Sequence, residues 1–253
     1  MGRAPTKARS LLPREHGAWA ELILPLVAAL AMTKPTPAGL AFACSACAAF
    51  LAHEPWLVLR GQRGTRARRE DGDRAARRLL ALIGVCGLSG GIALALSGML
   101  GVQASILPVA LSIAVAVLVR RGAERTLLGE TVAAAALASL ALPVAVADGV
   151  APTHALAAVA VWTAVFGLGT AVVRGLVAGE GRRLALLPTA VFLGSAVLYL
   201  SGTVALAPFV AVVPMCLLTG GVALARVPPQ RLRPVGWAIA AACSISAVAL
   251  AFG

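Results

Sequence analysis

The chain has 253 residues, 60% of them hydrophobic and only 13% charged, with a formal net charge of +12. A soluble domain carries about 25% charged residues, so there is too little polar surface here for a water-soluble globule and too much apolar sequence for a disordered chain. What remains is an all-α polytopic membrane protein whose positive charge belongs to cytoplasmic loops. Nucleic acid is not an expected partner, because no base-stacking aromatics interleave with the arginines.

Apolar stretches between charged or Pro/Gly punctuation predict nine transmembrane helices. In chain order they cover Ala18–Met32, Ala38–Leu59, Leu79–Ser97, Val102–Val119 and Leu127–Ala147, then His154–Val173, Leu184–Leu200, Val204–Ala225 and Val235–Phe252. The first and seventh are short for a hydrocarbon core about 30 Å thick. Pro25, Pro108, Pro143, Pro188, Pro208 and Pro214 fall inside spans and are expected as kinks.

The basic residues sort by side. Arg3, Lys7, Arg9 and Arg14 precede the first span, and Arg60, Arg63, Arg66, Arg68, Arg69, Arg74, Arg77 and Arg78 lie between the second and third. The fourth-to-fifth, sixth-to-seventh and eighth-to-ninth connections carry three arginines each, which leaves only Lys34 on the opposite side. By the positive-inside rule the N-terminus is cytoplasmic and the C-terminus outside, in the cell inner (plasma) membrane. Residues 1–253 read as one integral membrane domain, with 1–12 as a flexible cytoplasmic N-terminus and 60–78 as an Arg-rich cytoplasmic loop. The start of the chain imitates a cleaved signal peptide, with Ala29-Leu30-Ala31 after an apolar run. Glu15 and Glu21 are out of place beside such a run, so the first helix is kept.

Five cysteines, Cys44, Cys47, Cys86, Cys216 and Cys243, lie within or beside apolar runs. Their odd number argues against a disulfide framework. Cys44-Ser45-Ala46-Cys47 has no second pair to complete a zinc site, and no cofactor or metal is expected. Gly87 and Gly91, continued by Ala95, form a small-residue face that predicts contact with another helix of the same chain, or a homo-oligomer.

Ionisable residues at membrane depth are costly and mark functional candidates. The first cluster is Pro13-Arg14-Glu15-His16-Gly17-Ala18-Trp19, with Glu21 one turn further. The second is His53-Glu54-Pro55-Trp56, where Pro55 frees a backbone carbonyl. Downstream, Glu70, Asp71 and Asp73 have the oxygens for Mg²⁺, but Asp71 or Asp73 reads better as the N-cap of a helix beginning near Arg74. The third is a stripe at helical spacing, Thr163, Gly167, Thr170 and Arg174. Arg174 suits a phosphate or carboxylate, or an ion pair with Glu130, Glu54 or Glu21. Asp148 and His154 fall in a short outer loop where solvent accounts for them. Hydrolase, zincin and P-loop motifs are lacking, and whether the chain is an enzyme stays open.

The Pro-Arg-Glu-His-Gly-Ala-Trp stretch, followed by Leu24-Pro25-Leu26, resembles the N-terminal signature of the YwiC-like family of bacterial multi-pass membrane proteins. Glu124-Arg125-Thr126-Leu127-Leu128 and Val172-Val173-Arg174 are further echoes. A weaker resemblance, in helix number and loop placement, is to the UbiA-type intramembrane prenyltransferases. Their Asp-rich motifs have no counterpart here, since only Glu54 is acidic near the first and none lies around Thr170–Arg174. Two Mg²⁺ ions on a diphosphate need several carboxylate oxygens.

Three functions fit. The leading one is a cytoplasm-facing cavity binding an amphiphilic anion, such as an anionic phospholipid or isoprenoid phosphate, lined by Arg14, His16, Glu21, His53, Glu54, Glu130, Thr170 and Arg174. The others are a transporter of a small anion or proton-coupled solute, and a non-catalytic membrane scaffold.

Overall fold

In the computed structural model, residues 10–13, 16–178, 186–225 and 227–252 are described, and they contain helices but no strand. The helices are α1 (His16–Ala31), α2 (Pro37–Leu59), α3 (Thr65–Arg120) and α4, in which Leu127–Ser139 continues after a break at Leu140 into Ala141–Ala147. They are followed by α5 (Pro152–Ala178), α6 (Leu186–Leu200), α7 (Leu206–Leu224) and α8 (Leu232–Phe252), the last preceded by a 3₁₀ turn at Pro229–Arg231. Six of these eight are long and apolar enough to cross a membrane, while α1 and α6 are shorter apolar helices.

Nine separate helices were expected, and the difference lies in α3. Its 56 residues run through both the third and fourth expected spans, with one residue, Gly98, outside helical geometry (φ 63°, ψ −151°). That backbone region is essentially closed to residues with a Cβ. Contacts with α2 show what happens there. Ala75 packs with Val58, and the Ser45 hydroxyl donates to the Cys86 carbonyl at 3.0 Å, so the first limb runs antiparallel to α2. In the second limb Gly101 faces Phe42 and the Gln62 amide donates to the Val119 carbonyl at 3.4 Å, so that limb runs parallel to it. The chain therefore doubles back at Gly98.

Residues 60–78 are also more ordered than a loop. Only 60–64 is a connection, with Gly61 and Gly64 at positive φ, and helix resumes at Thr65. Arg, Ala and Glu are good helix formers. Spaced ion pairs reinforce them, Arg66–Glu70 at 2.8 Å and Arg74–Asp71 at 2.9 Å. Asp71 and Asp73 are thus helix-interior residues and not caps.

The core sits around α4 and α5, whose apolar windows are 56% and 50% buried, against 17% for α3. Trp162 at its centre is 1% exposed and stacks on Phe166 at 5.2 Å. Leu80, Leu88, Met99 and Ile106 of α3 stand exposed, which suits lipid rather than water. Gly87 and Gly91 belong to that outer surface, since a Cβ on either would meet nothing. The close approach to α2 is made instead at Gly90, where a Cβ would stand 3.1 Å from the Ser45 hydroxyl. Of the expected proline kinks, Pro25, Pro108 and Pro214 are helix-interior, as is Pro55. Pro208 sits third in α7, where the missing N–H costs nothing, and Pro143 follows the break at Leu140.

Candidate functional site

Two clusters read separately in the sequence meet at the end of α2. Phe50, Glu54 and Val58 follow one another at four-residue steps on one helix face. Leu11, just before the Pro13–Trp19 motif, is buried against Val58 and Ala75. Trp19, at the motif's other end, packs edge-on against Phe50 at 5.0 Å, and its indole N–H donates to the Pro13 carbonyl at 3.2 Å. Both flanks of the motif are therefore anchored one turn either side of Glu54. Arg14 lies outside the described residues, as does the side chain of His16, whose backbone opens α1.

Glu54 is 1% exposed. A bare carboxylate there would be expensive, and both of its oxygens are taken by Arg63. Nε donates to Oε1 at 3.0 Å and Nη2 to Oε2 at 2.5 Å. This fork-on-fork geometry is the strong form of the arginine–carboxylate pair. Arg63 reaches back from the connection between Gly61 and Gly64, and its side chain remains 23% exposed. Sequence reading missed Arg63, since nothing in a run of eight arginines singles it out. Beside the pair, the exposed His53 ring lies 6.1 Å from Trp56, and the Arg60 guanidinium stands 5.6 Å over the Trp56 ring.

The remaining predicted residues form other groupings. Arg174 pairs with Glu130 at 2.7 Å and donates to the Arg125 carbonyl at 3.0 Å, so of its three expected carboxylates it takes Glu130. That contact ties the end of α5 to the start of α4, where Thr126 caps the Gly129 amide at 3.0 Å. Thr170 is half-buried one turn earlier on α5. Glu21 is half-buried on α1, within electrostatic reach of Cys243 on α8. Of the acidic residues weighed for Mg²⁺, Glu70 and Asp71 are engaged by Arg66 and Arg74. The Glu70 hydrogen bond holds the exposed Arg66 guanidinium above its ordinary range.

The opposite end of α2 holds a second buried carboxylate. Asp148 is 7% exposed, where solvation was expected. Its Oδ1 accepts from the Thr36 amide at 2.8 Å and the Thr36 hydroxyl at 2.6 Å, and the same hydroxyl oxygen caps the Gly39 amide at 3.1 Å. A Cβ at Gly39 would fall on the Asp148 carboxylate. The available signal was Thr36-Pro37-Ala38-Gly39, a helix start with a glycine in its first turn.

A cavity of about 10 Å³ lies among Pro25, Met32, Ala145, Trp162 and Leu250. It has room for about one water, and its walls are apolar.

Long apolar helices, a core of packed small and aromatic residues, and an apolar outer surface on α3 define an integral membrane protein of the helical-bundle class. The YwiC-like protein family matches residues 12–146, more than half of the chain, and the chain belongs to that family. The matched stretch contains the Pro13–Trp19 motif, Glu54, Arg63 and Glu130, and ends before Asp148, Thr170 and Arg174. No curated protein and no solved structure matches the chain.

Proposed function

We propose that the protein crosses the cell inner membrane nine times, N-terminus in the cytoplasm and C-terminus outside, and binds an amphiphilic anion such as a lipid or isoprenoid phosphate at its cytoplasmic face. The reversal at Gly98 supports nine crossings, because it turns the eight helices of the described residues into nine traverses. The charge asymmetry supports the orientation. A C-terminal alkaline phosphatase fusion should then be active and a green fluorescent protein fusion dark; the reverse would overturn the topology.

The observation that carries the binding reading is the Glu54–Arg63 pair under the Pro13–Trp19 motif. A fully buried carboxylate orients an arginine that stays partly open, at the end of a membrane helix. That holds a guanidinium charge at the protein surface, where it attracts an anionic headgroup. In this reading Arg14 and His16 supply further donors from the motif, and Arg174 joins from α5 with Glu130 and Thr170. Glu21 and His53 complete the polar lining. The likeness to UbiA-type enzymes is one of crossing number and loop placement, and the chain lacks the carboxylates their two-metal chemistry needs.

The test is lipid extraction from the purified protein followed by mass spectrometry. A specifically retained phospholipid or isoprenoid phosphate is expected. Uptake of a small anion by proteoliposomes, with no retained lipid, would replace this reading with transport. Neither result would leave a scaffold.

A further inference from the structure

We propose that Arg78 is the residue that grips the phosphate of the bound anion, from the first limb of α3. This deepens the reading above and rests on it. Ala75 packs with Val58, and the first limb of α3 runs antiparallel to α2. Each step along α3 into the membrane therefore matches a step back along α2. Arg78, three residues beyond Ala75, comes level with Glu54, four residues before Val58.

At that level the carboxylates among the described residues are already committed. Glu54 gives both oxygens to Arg63, and Asp71 is paired with Arg74 one turn before Arg78. Arg78 is left over: its Nε is buried and has no hydrogen-bond partner. A buried donor without an acceptor is costly, and an arginine edge presenting Nε–H and Nη–H fits two oxygens of one phosphate. The exposed Arg68, Arg69 and Arg77, by contrast, are free to be hydrated. Arg78 is also the last charged residue before the apolar run from Leu79 to Ser97, which puts it at headgroup depth. The chemistry is that of a phosphate group, carried by a lipid or free in solution.

The test is native mass spectrometry of the full chain in detergent, titrated with phosphatidic acid and separately with inorganic phosphate. Wild type should bind, Arg78→Gln about tenfold or more weakly, and the exposed control Arg69→Gln as wild type does. Arg78→Lys keeps the charge but not the fork, and should bind several-fold more weakly; it serves if Arg78→Gln does not fold. Phosphatidic acid binding that excess inorganic phosphate leaves in place identifies a lipid headgroup, whereas displacement by phosphate identifies the free anion. Equal binding by wild type and the Arg78 variants would overturn the assignment of Arg78 alone. A wild-type protein that binds neither probe would overturn the binding reading with it.

Discussion

The two ends of α2 each bury a carboxylate, and they solve the same electrostatic problem in different ways. At the N-terminal end, Asp148 is met by the amide and hydroxyl of Thr36 and pressed against Gly39, so every partner is backbone or a short side chain fixed by the helix start. At the C-terminal end, Glu54 is met by a long side chain from a glycine-flanked connection, and that side chain keeps part of its surface open. The first arrangement closes a corner between α2 and α4 through Oδ1 alone, and Oδ2 stays buried without a hydrogen-bond partner. The second holds a cation at the other end of α2, beside the residues that flank the Pro13–Trp19 motif. A buried charge is thus a poor guide to function until its partner is known.

The largest expected effect comes from breaking the Glu54–Arg63 pair. Arg63→Ala leaves Glu54 buried and unpaired, and thermal unfolding in detergent should show a loss of about 3–5 kcal/mol. Replacing both partners together, Glu54→Leu with Arg63→Met, should recover most of that loss, since two apolar side chains have no charge to desolvate.

The Asp148 end breaks by crowding. Gly39→Ala drives a methyl into the Asp148 carboxylate and should cost about 1–3 kcal/mol. Asp148→Ala should cost a similar amount by stripping the Thr36 amide and hydroxyl of their acceptor. The double variant should be less damaged than the sum, because the clash disappears with the carboxylate. Full additivity would show that the two residues do not meet.

The reversal in α3 gives a third test. Gly98→Ala places a Cβ in a glycine-only backbone region and should cost about 1–3 kcal/mol, read as a lower unfolding midpoint. The smallest effect belongs to Arg174→Ala. Arg174 and Glu130 are 42% and 36% exposed, so the pair should contribute no more than about 1 kcal/mol.

How much was legible in advance follows the same physics. The spans showed themselves as apolar runs, because a membrane helix must satisfy its backbone internally and hide few charges. The junction at Gly98 did not show as a continuous helix, since one residue suffices to turn the chain and the flanking apolar runs look separate either way. Glu54 stood out as a carboxylate at the end of an apolar run. Arg63 did not, because its pairing depends on a tight connection whose shape comes from Gly61 and Gly64. Asp148 looked solvated because short outer loops usually are, and its burial needs α2 to arrive from 112 residues away. The face of Gly87 and Gly91 was visible as a pattern, but Gly90 makes the contact, since Ser45 happens to lie against it.

We propose that the Glu54 end of α2 is a binding site and the Asp148 end a structural lock. The most direct measurement is native mass spectrometry of wild type, Arg63→Gln and Asp148→Asn, each purified in the same detergent from the same membranes. A phosphate-bearing lipid should be retained by wild type and Asp148→Asn and lost from Arg63→Gln. Equal retention by all three, or loss from Asp148→Asn alone, would contradict it.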